Sequence, residues 1–153
     1  MPGLGSLAIC EYPMELLLKP WYETSKHTGR AMIHVLLYRH FPTKKWFIMG
    51  DDDTIFNSLA LARFLSSPSF ASSSEAWYIG SRSENVAARQ LNGWDMTPAG
   101  AGIILSAGFL REDGFFLQRC LDVAPWSSPQ ATGDWALNRC LARLGVALFA
   151  SGK

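Results

Sequence analysis

The most constraining feature of this 153-residue chain is the run Lys45-Trp46-Phe47-Ile48-Met49-Gly50, followed without a break by Asp51, Asp52 and Asp53. An unbroken apolar run of this length is covered on both sides, as strands are inside an α/β sheet, rather than on one side only. The three adjacent carboxylates repel one another, so the triplet makes sense chiefly if a cation neutralises them. A solvated acidic turn is the plain alternative.

The rest of the pattern alternates strands with helices. Pro20 to His40 reads as a helix, with Ala31, Met32, Val35, Leu36 and Tyr38 near helical spacing and Pro42 closing it. Asn57-Ser58 offers an N-cap to a short helix over Leu59 to Leu65, and Trp77 to Gly80 reads as a second strand. Ser81 to Pro98 is polar and irregular, the kind of long surface loop that binds or covers a ligand. Ala99-Gly100-Ala101-Gly102 leads into a third strand, Ile103 to Leu105, after which Ser106 can cap a helix reaching about Leu121. Gly133-Asp134 opens a last helix over Trp135 to Leu144, Gly145 ends it, and Val146 to Phe149 reads as a terminal strand. This order predicts an α/β layered fold, a single domain over 1–153, with ligand chemistry at the carboxyl ends of the strands.

Composition excludes several classes. A net charge of +1 does not furnish the basic face that nucleic acid or an anionic membrane requires, so neither is expected as a partner. With 48% hydrophobic and 18% charged residues the chain has enough apolar surface to fold, which excludes a disordered tail. The longest apolar stretches stop well short of the roughly 20 residues that cross a bilayer, and the glycine-broken N-terminus lacks a basic region like that of a signal peptide. Taken literally, that describes a cytosolic chain. Cys120 and Cys140 are spaced so that a helix and loop can return one to the other, which leaves both a disulfide and two buried thiols open.

The candidate chemistry lies in two acidic motifs and a glycine run. Carboxylate oxygens at Asp51 to Asp53 suit Mg²⁺ or Mn²⁺. Such an ion keeps positions open for diphosphate oxygens, and so can hold a nucleotide-linked donor and neutralise its leaving group. Asp134, at a helix start, either caps backbone N–H groups or acts as a general base on an acceptor hydroxyl. Gly100 and Gly102 mark either tight turns or a close approach of backbone to ligand. Trp94 can stack on a sugar or base, or lie under its own loop. His27, His34 and His40 all fall in the first predicted helix and read as structural or surface residues.

Trp46 to Thr54, Trp77-Tyr78-Ile79-Gly80, Gly100-Ala101-Gly102-Ile103 with Ser106, and Gly133-Asp134 with Cys140 and Leu144-Gly145-Val146 occur in the order found in Fringe-like glycosyltransferases. The chain resembles that family over roughly Trp21 to Phe149, most closely its fungal and plant branch related to β-1,3-galactosyltransferases. The resemblance implies a GT-A fold, a Rossmann-like mixed sheet flanked by helices, and an inverting transferase that uses a UDP-sugar donor with Mn²⁺ or Mg²⁺. By the same resemblance Asp53 binds the metal together with Asp51. Asp51 and Asp52 orient metal-bound water and the donor's ribose or sugar, and Gly100, Ala101 and Gly102 border the donor sugar. Asp134 falls at the catalytic base. The resemblance also implies a glycan or glycoprotein hydroxyl as acceptor and the Golgi membrane system as location, and Cys120 and Cys140 resemble a family disulfide pair.

Relative to the family pattern, Pro98 and Ala99 stand in place of an aromatic and a glycine, little chain precedes the acidic triplet, and no histidine follows Asp134. The expectation is therefore a partial domain, truncated at both ends, with a catalytically inactive fragment or remnant as the alternative. A phosphatase-like hydrolase would want an Asp-x-Asp loop with Thr or Val two places after the second Asp. Here Thr54 follows Asp53 at once and Ile55 takes that place.

Overall fold

The computed structural model describes residues 32–150, apart from positions 52, 71, 85–92, 94 and 124–132. Among the described residues the order is α1 (Ile33–His40), β1 (Trp46–Met49), α2 (Ser58–Leu65), β2 (Tyr78–Gly80), β3 (Ile103–Ser106), α3 (Ala107–Val123), α4 (Gly133–Arg143) and β4 (Leu148–Ala150). Short 3₁₀ turns occupy Pro68–Phe70 and Ala99–Ala101.

Local chemistry accounts for most of the boundaries. Asn57 Oδ1 accepts the Ala60 N–H at 3.0 Å and starts α2. Ser106 Oγ accepts the Phe109 N–H at 3.2 Å and starts α3. At the end of α4, Gly145 takes φ +74°, the Val146 N–H reaches Leu141 O at 3.0 Å and the Gly145 N–H reaches Ala142 O at 3.1 Å. That is the Schellman closure that a left-handed glycine permits. The last strand begins two residues later than its apolar run suggests, because only 148–150 lie beside β2.

The four strands form one mixed sheet in the order β1-β3-β2-β4. β3 runs against both neighbours, with Phe47 opposite Leu105, Met49 opposite Ile103 and Tyr78 opposite Leu105, whereas β2 and β4 are parallel. The α/β layering expected from the pattern, and the mixed sheet that the resemblance implies, are present. Alternation along the strands divides the interior between the two faces. Phe47, Met49, Tyr78, Ile103 and Leu105 join α1, α3 and α4 in the larger core, around the fully buried Phe109, Leu117, Leu137 and Leu141. Ile79 and Ile104 face the other way, into a smaller core with Leu65 and Phe70, bordered by Trp46, Ile48, Leu61, Phe64 and Trp77. Phe70 is its hub, with ring centroids 4.8 Å from Phe64 and 5.1 Å from Trp77.

Cys120 on α3 and Cys140 on α4 are bridged, with their Cα atoms 5.8 Å apart and a sequence separation of 20. The bridge resolves the choice that spacing left open. Closing a loop of that length removes unfolded-chain entropy worth about 3 kcal/mol.

Candidate functional site

Strand direction gathers the motifs. β1 and β2 run one way and β3 the other, so the carboxyl ends of β1 and β2 lie at the same edge as the start of β3. The acidic turn leaves β1 there, and the glycine run enters β3 there.

Thr54 joins the two. Its hydroxyl accepts the Asp51 N–H at 2.8 Å and donates to Gly100 O at 3.2 Å, while the Thr54 N–H closes the turn on Asp51 O at 3.0 Å. The Asp51 carboxylate lies against the glycine run, since a methyl group placed on Gly100 would stand 3.5 Å from Asp51 Oδ2. Asp51 and Asp53 are exposed, and among the described residues neither is in an ion pair. Asp52 lies outside the described residues, and without it no group of three or more His, Cys, Asp or Glu side chains converges. Two exposed hard-oxygen carboxylates suit Mg²⁺ or Mn²⁺, which take one or two protein carboxylates and complete their shells with water and substrate phosphate. The donor set therefore fits the ion.

Asp134 meets the same segment from the other side. Its Oδ2 accepts the Ala99 N–H at 3.3 Å, and its Oδ1 accepts the Trp135 N–H at 2.8 Å in the first turn of α4. The capping role anticipated for it is thus realised on one oxygen. Ala99 to Gly102 spans from Asp134 to Asp51, so both acidic motifs and the glycine run form one assembly. Trp135 carries the Arg139 guanidinium 5.0 Å from its ring centroid, which stiffens that turn.

A buried polar network supports Asp134. Tyr78 donates its hydroxyl to Asn138 Oδ1, and the Thr97 N–H donates to both, at 3.1 Å to the Tyr78 oxygen and 2.9 Å to Asn138 Oδ1. The Asn138 amide nitrogen donates to Thr97 O at 2.9 Å and to Asp134 O at 2.7 Å. The Thr97 hydroxyl donates to Ser81 O. Burial pushes the Tyr78 phenol well above its usual range, and the Asp134 and Asp95 charges add to the shift, so it stays a proton donor. Tyr78, Thr97 and Asn138 are almost wholly buried. Every polar atom of the Asn138 amide is used, which holds the backbone before the glycine run and the start of α4 in one relation.

Thr97 and Asn138 were not singled out from the sequence. The one available signal was an amide four places after an acid on a helix, which puts both on one face. Across the long loop, the Ser83 N–H meets Met96 O at 2.8 Å, and Arg82 pairs with Asp95 at 3.2 Å on the surface, so the two ends of the loop lie together. Trp94 and His27 lie outside the described residues. His40 is exposed, whereas His34 is fully buried, its Nε2 paired with Ile103 O at 3.2 Å and its Nδ1 without a partner among the described residues. Burial lowers its pKa to about 4 despite the opposing bond to Ile103. It is a structural residue behind the glycine run.

Compared with known families, residues 20–152 match the family model described as Fringe-like. No curated protein matches.

Proposed function

The chain belongs to the Fringe-like glycosyltransferase family, and on that premise we propose an inverting, metal-dependent hexosyltransferase domain related to the β-1,3-galactosyltransferases. It takes the sugar of a UDP-sugar and transfers it to a hydroxyl of a glycan or glycoprotein. The carrying observation is the continuous path Asp51–Thr54–Gly100–Ala99–Asp134, with the exposed Asp51 carboxylate at one end of a glycine run and a half-buried carboxylate at the other.

Asp51 and Asp53 are the residues that would hold Mn²⁺ or Mg²⁺, which when bound neutralises charge on the departing diphosphate. Asp52 shares in orienting the donor. The glycine run borders the donor sugar, and the open space is at Gly100, since the Phe56 ring lies over Gly102. Asp134 takes the proton of the acceptor hydroxyl as that oxygen bonds to the anomeric carbon, and the bond from that carbon to the diphosphate breaks with its electrons leaving on UDP. The Tyr78–Thr97–Asn138 network positions Asp134 without touching the reacting atoms.

No described helix is long and apolar enough to cross a membrane. The Cys120–Cys140 bridge suits an oxidising lumen, which favours the secretory pathway and the Golgi as the working location. A second reading, a domain that binds donor and does not transfer, draws on the fact that both Asp134 oxygens already accept backbone N–H groups.

Titration of the chain with UDP, with and without Mn²⁺, alongside Asp53→Asn, tests the donor site. Saturable binding that needs Mn²⁺ and is lost in the variant supports it. Absence of binding by the folded wild type would refute it. Binding without sugar release from any UDP-hexose would favour the second reading.

A further inference from the structure

The last row of the sheet before the candidate site is Met49, Ile103, Gly80 and Ala150, paired side by side across the four strands. From this row the chain leaves β1 through Gly50 into the acidic turn, leaves β2 through Ser81 into the long loop, and arrives at β3 from the glycine run. Whatever fixes the row fixes the root of all three segments.

Gly102 is a loose joint in that root. It takes φ +85° and has no side chain, so the chain that joins the glycine run to Ile103 turns more freely than its neighbours. One residue further on, the Ile103 carbonyl oxygen is held by His34, whose Nε2 lies 3.2 Å away across a sequence separation of 69. A carbonyl oxygen only accepts, so Nε2 carries the proton and Nδ1 keeps its lone pair. His34 is fully buried on α1, and that Nδ1 has no partner among the described residues. Burial keeps the ring neutral at ordinary pH.

Stability alone does not account for an imidazole at this position. It strands one polar atom away from water, a cost that an aliphatic side chain of similar size would not carry. What the imidazole supplies is a donor beside the loose joint. With Ile103 tied to α1, the direction of Gly102 is set, and with it the segment on which Gly100 O meets Thr54 and the Ala99 N–H meets Asp134.

We propose that His34 is a positioning residue for transfer: by donating its Nε2 proton to Ile103 O it ties the glycine run to α1 and so sets the spacing between the Asp51 turn and Asp134. This rests on the transfer reading above and adds to it a residue that touches neither donor nor acceptor.

Three substitutions separate such a brace from ordinary packing. His34→Leu removes both the donor and the stranded acceptor. His34→Gln can place an N–H where the imidazole places Nε2, whereas His34→Asn carries it one bond short. Hydrogen exchange is read at Ala101 and Gly102, whose N–H groups close on Pro98 O and Ala99 O. It should be faster than wild type in His34→Leu and His34→Asn, and close to wild type in His34→Gln. Sugar transfer from a UDP-hexose should fall roughly ten- to a hundred-fold in the first two, as misplaced reacting groups do, and recover in His34→Gln. UDP affinity in Mn²⁺ should hardly move, and the denaturation midpoint of His34→Leu should not fall below that of wild type. A split of that kind, with turnover lost and stability kept, is not what a purely structural residue gives. Wild-type exchange and turnover in a folded His34→Leu would overturn the proposal. If His34→Leu does not fold, equal exchange in His34→Gln and His34→Asn would overturn it instead. Wild type that transfers no sugar from any UDP-hexose would remove the transfer reading and the role in transfer with it, while exchange still decides whether His34 braces the run.

Discussion

The two flanks of the candidate site are built in opposite ways. On the α4 side Asp134 rests on a buried, fully hydrogen-bonded amide network, and α4 itself is bridged to α3 by Cys120–Cys140. On the β1 side the acidic turn is held, among the described residues, by the hydroxyl and backbone N–H of Thr54, and beyond it lie exposed carboxylates and exposed apolar side chains. The difference matches the chemistry proposed for each flank. A proton acceptor acts only within hydrogen-bond reach of its target, so its position must be set before substrate arrives. A site for a metal and a diphosphate needs open coordination positions and gains order from the ligand it binds.

The sharpest way to break the comparison is at Asp134, the proposed base. Asp134→Asn should lower transfer about 10²- to 10⁴-fold, the usual worth of a general base, while UDP affinity moves little. Turnover and calorimetry on the same protein check both halves. If UDP binding falls as much as turnover, the two flanks are not separable.

Asn138→Ala attacks the rigid flank from within. It removes the partner of the Tyr78 hydroxyl and the donor to Thr97 O, and should cost about 3 kcal/mol in chemical denaturation. Asn138→Asp, which sets a buried carboxylate oxygen against the acceptors Thr97 O and Asp134 O, should cost at least as much.

Acid should act on the same side of the sheet through His34. Its folded pKa is lowered to about 4 from 6.5, so its neutral form is the one that fits, and the stability it permits is present above 6.5 and lost as pH falls toward 4. The shift corresponds to about 3 kcal/mol between those limits. Denaturation at pH 7 and pH 4.5 should show most of this loss in wild type and little in His34→Gln, with reference to each protein's own value at pH 7.

The open flank should be nearly silent in stability. Asp53→Asn should change unfolding free energy by no more than about 0.5 kcal/mol, as exposed substitutions usually do, though it removes Mn²⁺-dependent UDP binding. A larger loss would mean that the acidic turn is part of the scaffold after all.

Much of this fold was legible in the chain. Apolar runs marked all four described strands, Asn57 and Ser106 marked helix starts, and Gly145 marked a helix end, because each of these signals is local. The motifs Asp51 to Asp53, Gly100 to Gly102 and Asp134 stood out by composition. What could not be read was the company they keep. Thr54 serves as a clasp only because Gly100 lies across from it, 46 residues away, and Asn138 matters only because Thr97 and Tyr78 arrive beside it. No local pattern announces that the Phe56 ring lies between Gly50 and Gly102.

The sequence by itself determined the alternation of strands and helices, where they stop, and which residue types can perform acid–base and metal chemistry, since those follow from side-chain periodicity, capping and ionisation. Only the tertiary structure decided that β3 runs against β1 and β2, that Cys120 and Cys140 are joined, and that His34 is uncharged behind the glycine run. Pairing sense, bridging and burial are set by contacts between distant segments, and their energies exist only once the chain has closed on itself.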